Sequence, residues 1–199
     1  MFDDLAGLDD FLRGRLATSG RMAAHIAAAV CAHVRHSEDL DRVWRVANSE
    51  CDARTPSPAA RHVSRQQGGQ LLRTASRVFD SDVLRSLQVE SAAVGRDPHH
   101  SVATGAAAAA GQLGPLEAAA AGAYGAVAGP ASAALRILGL DPAGVAKVLA
   151  GLAGEVDSIA DEAARTAEKP FSRVPSPSAP ILELLGETHF ERKERLFAS

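Results

Sequence analysis

The densest cluster of soft and imidazole donors in the sequence is Cys31, His33 and His36. On a helix His33 and His36 share a face at i, i+3 spacing, and Cys31 lies half a turn before them. Such a set could serve a small helical metal-binding protein or enzyme. The plainer reading is a partly exposed histidine cluster on an ordinary helix. His99 and His100 are adjacent, so on a helix they point apart and chelate poorly. Neither a Glu-x-x-His nor a His-Glu-x-x-His spacing occurs, and no metal site is assigned.

Nucleophilic and phosphate chemistry find less support. There is no Gly-x-Ser-x-Gly elbow, and neither Cys31 nor Cys51 carries a flanking signature. The Gly-rich run from Gly105 to Gly114 lacks the Lys-Ser/Thr of a phosphate loop and follows a helix rather than a strand. Arginines between Arg54 and Arg77 could form a basic stripe for RNA. Without interleaved aromatics they read as a solvated helix face. The pattern is that of a protein that is not an enzyme, binds no nucleic acid, and works by docking onto other proteins.

The elements that carry these residues are helices. About a fifth of the 199 residues are Ala and only 4% are aromatic. Ala is the least costly residue in a helix, and hairpin turn signals are missing. Leu8, Phe11, Leu12 and Leu16 recur at helical spacing, and Ile26, Val30 and Val34 resume it beyond Thr18-Ser19-Gly20. Gly20 marks either a kink or a break. Ser37 with Glu38 and Asp39 opens a helix through Leu40, Val43, Trp44 and Val46. Ser57-Pro58 opens another, whose Gly68-Gly69 pair implies a bend or a close backbone neighbour.

Residues 91–98 read as a loop. Small-residue helices follow at about 101–111 and 115–139, the second to be bent by Pro130. Asp141-Pro142 starts one long amphipathic helix with Val145, Val148, Leu149, Leu152, Val156, Ile159 and Ala163 on its apolar stripe. Gly122, Gly125 and Gly129 allow backbones to approach closely, within the domain or between subunits. Tyr124, the one tyrosine, is a buried filler or an interface anchor. The expected fold is an all-α, single-domain bundle of about seven to nine helices with small-residue packing. It occupies 1–168, followed by a Pro/Ser-rich linker at 169–180. Residues 181–199 supply a C-terminal helix and a partner-docking tail.

The net charge of -3 gives no basic field for nucleic acid or anionic membrane. The apolar stretch 118–140 carries Arg136 and Pro130 and is mostly Ala and Gly, which argues against a membrane span. Two cysteines and the absence of a secretory n-region and h-region fit a cytoplasmic protein.

Two runs and the tail carry a family resemblance. Ala53-Arg54-Thr55-Pro56, then Arg61-His62-Val63-Ser64, Gly68 and Leu71-Leu72, resemble the central helix of the urease accessory protein UreF family. His99-His100-Ser101-Val102, Tyr124, and Arg136-Ile137-Leu138-Gly139-Leu140-Asp141 continue the likeness. The ending is similar too: a His-Glu pair, then Arg-Leu-Phe and a final Ser. Here Phe190 separates His189 from Glu191, while Arg195-Leu196-Phe197 and Ser199 match. The family carries Pro-x-Gly and Ser-x-Gly-x-Glu motifs ahead of the first matched helix, whereas this chain begins Met1-Phe2-Asp3-Asp4.

The resemblance implies an all-α dimer with no resident cofactor. It implies binding to a second accessory protein (UreD, also called UreH) and recruitment of the nickel-carrying GTPase UreG to apo-urease. Partner contacts are then expected at Tyr124, Arg136, His189, Glu191, Arg195, Leu196, Phe197 and Ser199, with Ser64, Gly68 and Gly125 as close-packing positions.

Overall fold

The computed structural model describes residues 4–177, in which every regular element is helical. Nine α-helices run α1 (Leu5–Arg15), α2 (Arg21–His36), α3 (Leu40–Arg54), α4 (Pro58–Val78), α5 (Asp82–Val94), α6 (His100–Ala110), α7 (Pro115–Leu138), α8 (Pro142–Gly151) and α9 (Ala153–Arg165). A single 3-10 turn, Phe171–Arg173, follows. Among the described residues no helix is long and apolar enough to cross a membrane.

Local chemistry sets most boundaries. The carboxylates of Asp4, Asp39 and Asp141 and the Ser57 hydroxyl each accept from a backbone N–H of the helix they precede. These bonds satisfy N–H groups that have no partner within the helix. Asp39, rather than Ser37, caps α3, while the Ser37 hydroxyl accepts from the Asp39 amide at 3.1 Å. Gly95 and Gly139 end α5 and α7 in the left-handed region at φ 64° and 63°.

Three expectations are refined. Thr18-Ser19-Gly20 does not break the helical run: residues 16–20 form one π turn that joins α1 to α2. The Thr18 hydroxyl bonds the Gly14 carbonyl at 2.8 Å and the Ser19 hydroxyl the Arg15 carbonyl at 3.3 Å. These bonds compete with the normal helical ladder and accompany its widening. The loop expected at 91–98 shortens, because α5 continues to Val94 with Leu84 and Leu87 buried. The long helix after Asp141 is two helices divided at Leu152, whose side chain is fully buried. That division lets α8 lie on α1 while α9 packs on α7 and α2.

The core has two halves that meet along α2, which packs against α6, α7 and α9. One half gathers Ile26, Val30, Trp44, Leu72, Leu84, Leu87 and Val102; the other gathers Leu8, Leu12, Leu16, Val127, Val145 and Leu152. Ala and Gly replace larger side chains where backbones cross. A β-carbon at Gly105 would stand 2.5 Å from the Ala27 carbonyl oxygen, and one at Gly122 would stand 2.9 Å from that of Ala23. The close packing of α6 and α7 on α2 therefore depends on those glycines.

Candidate functional site

The most organised polar constellation joins α3, α4 and the loop before α6. The His99 side chain is buried, with Nε2 2.9 Å from Asp52 Oδ1 and Nδ1 3.0 Å from Ser64 Oγ. An ionised carboxylate only accepts, so Nε2–H donates to Asp52 and the Ser64 hydroxyl donates to Nδ1. Ser64 Oγ in turn accepts from the His100 amide at 3.2 Å. Arg65 donates to Asp52 Oδ2 at 2.7 Å and to the Asp97 carbonyl at 2.7 Å.

Burial holds the His99 pKa below its usual value, against the opposing pull of Asp52. Burial would raise Asp52, but the hydrogen bond from His99 and the Arg65 cation keep its pKa below the ordinary value. The order Asp-His-Ser invites comparison with a hydrolytic triad. Here, however, the serine sits within α4 and its oxygen is already held by the His100 backbone amide. The arrangement clamps residues 97–100 against α3 and α4. Gly68 completes it: a β-carbon there would overlap the Pro98 carbonyl and the His99 backbone.

The remaining donors do not converge. The Cys31 thiol donates to the Leu113 carbonyl at 3.3 Å, and His33 Nδ1 lies 2.8 Å from the Ala29 carbonyl of its own helix. The His33 ring packs on Phe171 with 4.8 Å between centroids, and His36 is exposed. No group of three His, Cys, Asp or Glu able to hold a metal ion occurs among the described residues. Burial pushes the Cys31 thiol up and takes Cys51 to about 12, so neither is poised as a thiolate. Several arginines of the supposed stripe turn onto the protein itself. Arg61 donates to the Thr55 and Pro56 carbonyls, and Arg73 Nη1 lies 3.6 Å from Asp97.

An apolar cleft of about 460 Å³ lies between α7, α8 and α9. Tyr124, 52% exposed, forms one wall with Ala120; Leu149, Ala153 and Val156 form the other, and Asp157 stands among them. Gly125 faces away from this cleft, with the His100 ring 3.9 Å from where its β-carbon would be. Arg136 is exposed three turns further along α7, beside the exposed Ile137. His189, Glu191, Arg195, Leu196, Phe197 and Ser199 lie outside the described residues.

What two arginines hold was not legible in the sequence. Arg15 reaches the Ala126 carbonyl on α7 at 2.8 Å, and Arg54 grips the segment after α9. Both bonds span more than a hundred residues, and no local spacing announces them.

The comparisons with known proteins agree on one family. The UreF family model matches residues 2–153. The chain is 41% identical over 196 residues to the urease accessory protein UreF of Mycobacterium sp. (strain JLS), covering 98% of this chain and 83% of that protein. It is 39% identical over 197 residues to the UreF of Mycolicibacterium vanbaalenii, with the same coverage. Against the UreF of Mycobacterium tuberculosis (strain H37Rv) the figure is 38% over 199 residues, covering 100% of this chain and 84% of that protein. With a family model matched over most of its length and relatives aligned along nearly all of it, this all-helical chain belongs to the UreF family of urease accessory proteins.

Proposed function

We propose that this protein is a non-enzymatic scaffold in urease maturation. It bridges the accessory protein UreD/UreH and the nickel-carrying GTPase UreG, so that nickel is delivered into apo-urease in the cytoplasm. The observation that carries this reading is the match along 98% of the chain to proteins named for urease accessory function. The site geometry is compatible with it. The buried polar network is tied up in holding a loop, while an apolar cleft at Tyr124 is open to solvent. Exposed apolar clefts rimmed by polar residues mark protein contacts. We assign that cleft and the adjoining α7 surface to self-association, with residues 187–199 docking onto UreD/UreH.

The test is reconstitution. A host carrying urease structural subunits with UreD/UreH and UreG, but no UreF, should gain urease activity and urease-bound nickel when this chain is supplied. The purified chain alone should hydrolyse neither urea nor GTP. Failure to restore nickel loading, with all four proteins soluble, would sink the assignment.

A further inference from the structure

Arg54 closes α3 with its side chain only 10% exposed. Its Nε donates to the Val174 carbonyl at 3.1 Å, and one terminal nitrogen donates to the carbonyls of Ser172 (3.2 Å) and Phe171 (3.4 Å). The other terminal nitrogen pairs with the Glu50 carboxylate one turn back, which fixes the plane of the guanidinium. One fork thus holds three carbonyls of a single short strap, those of Phe171, Ser172 and Val174.

The strap has little structure of its own. Its internal support is one 3-10 turn, with Arg173 N bonded to the Pro170 carbonyl and Val174 N to that of Phe171. Its side-chain anchors are Phe171, 5% exposed against His33, and Val174, 8% exposed. Beyond Val174 come Pro175 and Pro177, whose rings restrict the backbone. Pro175 and Pro177 therefore stiffen the first three residues after Val174.

We propose that Arg54 is a positioning residue. By clasping residues 171–174 it fixes where and in which direction the chain leaves the helical domain, and so sets how tightly the segment beyond residue 177 binds the accessory partner. The inference rests on the reading that residues 187–199 dock onto UreD/UreH. Without the clasp, several strap residues must be ordered at the moment of binding, which weakens association without removing any partner contact.

The experiment uses the full chain with purified UreD/UreH and two readouts. Trypsin can cut after the exposed Arg173, but only when the strap lifts, so the cleavage rate reports the clasp. Arg54→Ala and Phe171→Ala should both speed that cleavage, keep the helical circular dichroism, and weaken partner binding about tenfold, the loss expected from reordering one or two residues. Arg54→Lys, which keeps the charge but not the fork, should fall between.

If Arg54→Ala unfolds the protein, Phe171→Ala carries the test. Unchanged cleavage in the variants overturns the clasp. Faster cleavage with undiminished binding overturns the positioning role. If deletion of 187–199 leaves binding at full strength, the docking assignment falls with the positioning role, while the trypsin readout still stands for the clasp alone.

Discussion

Arg15 Nε donates to the carbonyl oxygen of Ala126 at 2.8 Å. Ala126 is four residues before Pro130, which sits inside α7 and has no N–H to offer that carbonyl. A cation from α1 therefore fills the gap that proline opens in α7, and burial lowers the Arg15 pKa from its usual value. Arg15→Met should destabilise the protein by about 1 kcal/mol, the cost of leaving a partly buried acceptor unmet. In a Pro130→Ala background the helix recovers its own donor, so the same substitution should cost much less. Urea denaturation of the four proteins in the cycle measures the coupling. Additive effects would mean that water serves the Ala126 carbonyl equally well.

Features written in consecutive residues were legible in the sequence, and features made by distant ones were not. Ser57-Pro58 and Asp141-Pro142 act within one turn, and they cap where the sequence places them. The division at Leu152 was hidden because the apolar period continues across it; tertiary packing, with α8 on α1 and α9 on α7, decides the break. His99 looked like half of a poor chelate. Its partners Asp52 and Ser64 lie 47 and 35 residues away, and only the fold brings them together. The family, by contrast, was carried by short motifs in the sequence itself.

Acid should destabilise the fold in two steps. His25, His99 and His100 all have folded pKa values below the ordinary 6.5, chiefly through burial. Glu162 opposes the shift at His25 while Arg21 adds to it; Asp52 opposes it at His99 while Arg65 and Arg61 add to it. Above pH 6.5 both states are neutral at these positions and stability is at its plateau. As pH falls below 6.5 the unfolded chain binds protons first, so stability drops until the folded values are reached. Asp52 has a folded pKa below 3.8, so its contribution is lost only as pH falls further, through that folded value. Chemical denaturation between pH 8 and 3 should show both limbs. His25→Gln with His100→Gln should shrink the first to the share of His99 and leave the second.

Tyr124 presents an aromatic ring to solvent beside an apolar cleft, in a chain with few aromatics to bury. Symmetric pairing of such clefts is the commonest route to a homodimer. Light scattering at micromolar concentration should therefore report a dimer, and Tyr124→Ala should weaken it by about 2 kcal/mol. A stable monomer, or a dimer that Tyr124→Ala leaves unchanged, would remove the cleft from consideration as a self-association surface.

The C-terminal tail is where a deletion separates docking from folding. Residues 187–199 mix charges with Phe190, Leu196 and Phe197 and follow a Pro/Ser-rich stretch, the composition of a segment expected to bury little apolar surface in its own domain. Aromatic and arginine side chains in such a segment typically supply most of the binding energy, with the aromatic ring in a pocket and the guanidinium on a carboxylate or carbonyl. Phe197 and Arg195 are the residues that fit those roles. Removing 187–199 should leave helical circular dichroism nearly intact, because among the described residues both halves of the core are built from residues 8–174. The same deletion should abolish co-purification with UreD/UreH. Phe197→Ala alone should cost about 2 kcal/mol of binding, and Arg195→Ala should also weaken it, through loss of a charge-assisted bond. If the truncated chain captures UreD/UreH at full strength, docking belongs to the helical domain, and the exposed α7 surface around Arg136 and Ile137 becomes the place to look.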